Sequence, residues 1–220
     1  MAILSTNSPS GAAIRAGRQT LAAVKAVTAV KALAGVLVPA QADLKAKMAA
    51  RTLCDDANID AQGEAGARED DLLDALGSLG RKAYGLYESY GAAGYRRIFG
   101  IAPSKLAGLR DMDRRAAYAA CLEALQDDTP KELAATAKAV VAAHGGYETA
   151  RTAAAATQKA LDKAQEAEVA SLDQWHTAVR KLKAQLTDHY PRDRKHVARF
   201  FRSTMGKKKP AVAAPVPAPT

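Results

Sequence analysis

Aromatic residues are scarce in this 220-residue chain, 5% in all. Aromatic and β-branched side chains suit the pleated surface of a strand, so their shortage argues against a sheet. Cysteine is nearly missing as well. Cys54 and Cys121 are far apart and form no CxxC pair, which supplies neither a disulfide framework nor the spacing of a zinc site. Both are expected to be small buried apolar residues in a reducing compartment. No uncharged run approaches the roughly 20 residues of a membrane span, because Lys25 and Lys31 interrupt the most apolar stretch. For the same reason the "AQA" that follows is not read as a secretory cleavage site, and a cytoplasmic location is expected. The chain also lacks a Walker-type loop, a GxGxxG, an HExxH and a GxSxG, the short motifs that announce phosphate, dinucleotide, zinc or acyl-transfer chemistry.

What is abundant is alanine, the best helix former. The expectation is an all-α, elongated antiparallel helical bundle. Residues 1–16 hold Ser, Asn, Pro and Gly without periodicity and are expected to be a disordered leader. Residues 17–205 form the bundle, and residues 206–220 a Lys/Pro/Ala-rich disordered tail. Val30, Leu33, Leu37, Leu44 and Met48 recur at helical spacing. Pro39 lies among them, and without an N–H donor it should kink or split that helix. "DDANIDAQGEAGARED" reads as a loop. Leu72, Leu76, Leu79, Ala83, Leu86 and Tyr90 step by four and three, the seam of a helix that packs on a neighbour. The glycines around it, Gly77, Gly80, Gly85, Gly91 and Gly94, each cost about 1 kcal/mol against Ala in a helix. They imply either another backbone at close range or an irregular helix after Tyr90.

"FGIAPSKLAGLRD" is a connector that should tuck Ile101, Leu106 and Leu109 onto the bundle. A short helix is expected over about 112–126. In "DDTPKEL", Thr129, Pro130 and Glu132 fit the pattern of a capping box at the start of the next helix. Gly145-Gly146 reads as a turn or a kink. From Tyr147 to His189 there is neither Gly nor Pro, so one long helix is expected, with a seam at Leu172, Trp175, Val179, Leu182 and Leu186 and an end at Pro191. Shifting the chain by 100 residues lays Leu72, Leu79 and Leu86 on Leu172, Val179 and Leu186. This suggests two duplicated helical hairpins, about 17–109 and 110–205.

No residue reaches catalytic strength. His189 and His196 are separated by Pro191, and a metal site wants its ligands on one continuous face, so neither a metal nor any other cofactor is expected. The acids of "EDDLLD", "DDANID" and "QDD" read as solvated charge near helix starts. Glu166 and Glu168 have no His three residues on, unlike di-metal carboxylate bundles. Tyr84, Tyr87 and Tyr90 share a broad helix face and are expected in helix–helix contact, with stacking on a ligand as the alternative.

The charge is unevenly spread. Of a formal +9, Arg192, Arg194, Lys195, Arg199, Arg202, Lys207, Lys208 and Lys209 supply eight cations against one acid, Asp193, while the remainder has 24 bases and 22 acids. In a helix after Pro191, Val197, Phe200 and Phe201 share an apolar side. One reading closes the bundle with the two Phe and leaves the bases in water. A second sets the bases on nucleic-acid phosphates, and a third on an anionic surface.

The Ala-rich helices and the "KKKPAVAAPVPAP" end resemble phasins, bacterial coats of polyester storage granules; such tails also occur in nucleoid-associated proteins. The resemblance is one of composition over the last dozen residues, and no site residue follows from it. The expected function is a non-catalytic structural or interaction protein. Its partners would be proteins or copies of itself met through helix faces, with the basic segment as an added anionic contact. The alternatives are a nucleic-acid-associated protein without sequence preference and a phasin-like coat of a granule or membrane surface.

Overall fold

A computed structural model describes residues 9–127 and 129–201. Among these residues the chain is all-α, without a strand. Helix α1 spans Pro9–Lys25, a 3-10 segment Thr28–Val36, α2 Val38–Tyr87, α3 Ala93–Ile98, α4 Pro103–Leu106, α5 Asp111–Asp127, α6 Ala134–His189 and α7 Arg194–Phe200. None is long and apolar enough to cross a membrane. The chain divides into two compact units: Met1–Leu53 with Lys163–Thr220, and Cys54–Asp162. Each unit therefore takes one part of α2 and one part of α6.

In the first unit, α1, the 3-10 segment, the start of α2, the end of α6 and α7 enclose one apolar core. Val24, Leu37, Leu44, Met48, Leu182 and Leu186 are at or near zero exposure, and Ile14, Trp175, Val197 and Phe200 close around them. The α2 and α6 segments run antiparallel: Gln41 meets Trp175, and Arg51 meets Glu168 at 2.6 Å. A buried amide ties three helices together. Gln41 Nε2 donates to the Ile14 carbonyl at 2.8 Å, and Trp175 Nε1 donates to Gln41 Oε1 at 2.7 Å. Gly17 makes room for it, since a Cβ there would stand 1.8 Å from Gln41 Oε1.

In the second unit, the rest of α2, then α3, α4, α5 and the first part of α6, surround Leu72, Leu76, Leu79, Ala83, Ile98, Tyr118, Leu133 and Val140. Here too the long segments are antiparallel. Asn58 Nδ2 donates to Gln158 Oε1 at 3.1 Å, and Arg68 lies beside Gly146.

Several expectations are corrected. α1 begins at Pro9, inside the stretch read as a disordered leader, because Ser10, Gly11, Ala13 and Ile14 have a core to enter. "DDANIDAQGEAGARED" is helix, not loop. It contains no Pro, and Arg68 pairs with Glu64 at 2.8 Å and Asp71 at 3.4 Å, spacings that favour a helix. The acids there sit mid-helix, not at a helix start. α6 runs through Gly145-Gly146 without a turn, and Thr149 Oγ1 donates to the Gly145 carbonyl. No capping box forms at Thr129. Its hydroxyl donates back to the Leu125 carbonyl, and α6 starts only at Ala134. The seam of α2 stops at Ala83, because the helix ends at Tyr87 and leaves Leu86 and Tyr90 exposed. Pro39 does split its helix: the 3-10 segment ends before it, and it sits in the first turn of α2.

The compact units are not the contiguous halves 17–109 and 110–205; patterns of burial recur between them, at offsets that vary from 99 to 103. Gly17, Thr20 and Val24 of α1 are buried, as are Tyr118, Cys121 and Leu125 of α5 at the same spacing. Val30, Ala34, Leu37 and Leu44 answer to Leu133, Ala137, Val140 and Tyr147, and Leu76 and Ala83 to Trp175 and Leu182. Tyr95-Arg96-Arg97-Ile98-Phe99 of the α3 region answers to Val197-Ala198-Arg199-Phe200-Phe201 of the α7 region. Its first and fourth residues are buried in both, and its second and third exposed.

Candidate functional site

Tyr190 and Pro191 end α6, and the chain turns back into α7. Asp193, the one acid of the basic segment, caps the new helix: its carboxylate accepts from the His196 N–H at 2.8 Å. Tyr190 packs on His196 at 4.6 Å and lies parallel to Phe200 at 6.3 Å. Val197 and Phe200 are buried in the core, and α7 packs on α1. The apolar side of α7 therefore faces inward, and Arg192, Arg194, Lys195 and Arg199 all stand exposed. Arg202, Lys207, Lys208 and Lys209 lie outside the described residues, as do the tail 206–220 and residues 1–8 of the leader.

The unit extends this basic face. Arg180, Lys181 and Lys183, on the last turns of α6, are exposed as well. Over residues 9–53 and 163–201 the first unit carries 15 Lys or Arg against six acids, and residues 54–162 carry 13 against 17. The nearly neutral body of the sequence is thus a basic unit and an acidic one. Within the basic unit only Arg51 is both half-buried and held in an ion pair among the described residues; the other fourteen cations are exposed. The sequence reading missed Lys183 and its neighbours because it began the basic segment at Pro191. The available signal was the "RKLK" of α6, a few turns upstream.

Between α6 and α7 lies a groove of about 580 Å³, lined by Lys183, Thr187, Arg194, Val197, Ala198 and Phe201. Its floor is apolar, its rim is cationic, and no carboxylate lines it.

The second unit has further clefts; one, of about 440 Å³, is largely apolar and lies against Leu76, Ile98, Phe99 and Leu106, and two carry tyrosines. One, of about 650 Å³, is lined by Gln62, Glu69, Asp111, Arg115, Tyr147 and Arg151 among others. Its carboxylates are committed to neighbours. Glu69 is ion-paired with Arg114 at 2.8 Å and accepts from the Tyr118 hydroxyl at 3.3 Å, and Asp111 pairs with Arg115 at 2.6 Å. Burial, and then the Glu69 charge, push the Tyr118 hydroxyl well above its ordinary value, so it stays a donor. The other cleft, of about 590 Å³, has Gly77, Gly80, Arg81, Tyr90, Tyr95 and Pro103 on its walls. Beside it Tyr84, Tyr90, Tyr95 and Phe99 meet in succession with centroids 4.4, 5.2 and 5.1 Å apart, the middle pair edge to face and the other two tilted. Tyr84 and Tyr90 are exposed, and Tyr90 lies past the end of α2, so the shared helix face expected to pack on a neighbouring helix is not formed: the rings meet one another instead.

Among the described residues no group of three or more His, Cys, Asp or Glu could hold a metal ion. Cys121 is buried and Cys54 half-buried, both as free thiols, and burial pushes the Cys121 thiol up to about 12. No protein-family model, no curated protein and no solved structure matches this chain.

Proposed function

We propose that the protein is a non-catalytic helical interaction protein that docks on an anionic macromolecule through its basic unit, with the cations of α6 and α7 at the contact. The observation that carries this reading is the set of fourteen exposed cations on one unit, against acids that are mostly elsewhere. Such a surface raises the local concentration of an anionic partner and adds a salt-sensitive attraction. What favours surface contact over insertion is the inward burial of Val197 and Phe200. A coat that anchored α7 in a lipid or polymer phase would need those two residues turned outward.

The test is retention on a heparin column. The wild-type chain should bind at low salt and elute in a salt gradient. Replacing Arg192, Arg194, Lys195 and Arg199 together by Glu should move elution to markedly lower salt. The helical circular dichroism should be unchanged, since all four side chains are exposed. A wild-type chain that runs through heparin at low salt would refute the proposal.

A further inference from the structure

We infer that the groove between α6 and α7 binds single-stranded nucleic acid, holding an unstacked base against Val197 and Phe201 with the flanking phosphates on Lys183 and Arg194. The inference rests on the anionic-partner reading above and narrows it to one class of polymer.

Three observations lead there. The first is the lining itself. Lys183 and Arg194 on the rim, the Thr187 hydroxyl, and an apolar floor ending in half-buried Phe201 combine cation and aromatic within about 580 Å³. That pairing is what strand-binding grooves use: cations follow the backbone, and an aromatic face takes a base of any identity.

The second is the comparison of the two units. Where the α2 end meets α3, Tyr84 packs on Tyr90 and Tyr90 on Tyr95, beside a cleft of about 590 Å³. In the first unit the residue after buried Leu182 is Lys183, whereas in the second the residue after buried Ala83 is Tyr84. At this position the second unit carries an aromatic and the first a cation.

The third is the extent of charge. A ligand with a single anionic group would be served by Lys183 and Arg194 alone. Arg180, Lys181, Arg192, Lys195 and Arg199 are further exposed cations on the same two helices and the turn between them, against the exposed acids Asp188 and Asp193, an excess that suits a chain of phosphates. A duplex keeps its bases stacked and cannot place one on Phe201. A lipid headgroup offers the phosphate but not the ring.

The experiment is fluorescence anisotropy with a labelled oligothymidylate of about twelve nucleotides, on the full chain, over a series of salt concentrations. The wild type should bind the single strand more tightly than a duplex of equal length. The double substitution Lys183→Glu and Arg194→Glu should weaken binding about tenfold or more. It should also flatten the slope of log affinity against log salt by about 0.7 for each phosphate no longer neutralised. Lys45→Glu with Lys47→Glu makes the same change of net charge on α2 and should cost less than about threefold by long-range attraction alone. Phe201→Leu keeps the floor apolar, and should weaken the single strand about fivefold or more with the salt slope unchanged.

Equal losses in the two double variants, or equal affinity for duplex and single strand, would overturn the groove assignment and leave the anionic-partner reading standing. So would binding to vesicles rich in phosphatidylserine without binding to the oligonucleotide. Failure to bind oligonucleotide, vesicles and heparin alike at low salt would overturn both.

Discussion

At the scale of single residues, small changes in shape decide large costs. Gln41 is the clearest case, because its amide both gives to the Ile14 carbonyl and takes from Trp175. Gln41→Leu would leave the buried Trp175 indole N–H without its acceptor, while the Ile14 carbonyl keeps its place in the α1 ladder. The expected loss is about 1–3 kcal/mol of unfolding free energy, the cost of one orphaned buried donor, read by urea denaturation. Glycines separate in the same way. A Cβ on Gly80 would stand 2.9 Å from Pro103 Cγ, on a ring that cannot rotate away, whereas one on Gly85 meets nothing within 4 Å. Gly80→Ala should therefore destabilise by about 1–3 kcal/mol through overpacking. Gly85→Ala, exposed and inside α2, should stabilise by about 0.5–1 kcal/mol. Thermal melts of the two variants should move in opposite directions. The sequence left open a close backbone or an irregular helix at the glycine cluster; what meets Gly80 is the ring of Pro103, a contact that depended on where that residue came to rest.

At the scale of elements, α7 is both a structural closure and the carrier of the cations. Phe200→Ala removes a ring that is 5% exposed in the core of the first unit, and should cost about 3–5 kcal/mol. A chain truncated after Tyr190 should lose the fold of that unit for the same reason. Glu substitution of Arg194 or Lys195, on the opposite face, should leave the melting temperature within a degree or two while reducing heparin retention. This separation of stability from binding is the useful property of an amphipathic element whose apolar side is already occupied. The seams at Leu72–Ala83 and Leu172–Leu186 were legible because burial repeats at three and four. The central part of α2 was not legible. Its glycines and acids are poor local signals for helix, and the partners that support it there, Gln158 and Thr157, lie about a hundred residues away.

At the scale of the whole molecule, the two units differ in charge and in their response to alkali. Cys121, Tyr95, Tyr118 and Tyr147 all belong to the second unit, and burial is the first cause of the upward shift in each. The folded unit keeps these protons to higher pH than the unfolded chain does. Their contribution to stability is complete below the ordinary thiol value of 9.0 and is lost as pH rises toward about 12 for Cys121. Unfolding followed by urea should therefore become easier between those values. The change should come first in amides of residues 54–162 by hydrogen exchange, with part of the tyrosinate absorbance appearing only on unfolding. If residues 163–201 instead lost protection first as pH rose, the assignment of the shifted groups to the second core would be wrong.

The sequence by itself determined the helical class, the ends at Pro39 and Pro191, the heptad seams and the position of the basic segment. All of these are local: they depend on backbone chemistry, on residue spacing of three and four, and on charge counted along the chain. Tertiary structure alone decided that α2 and α6 each serve two cores, that Gln41 is clasped between Ile14 and Trp175, and that Lys183 joins Arg194 at one groove. It also divided a nearly neutral body into a basic and an acidic unit. Those outcomes depend on which distant segments pack together, and a side chain's neighbours across a helix interface leave no periodic trace in its own stretch of sequence.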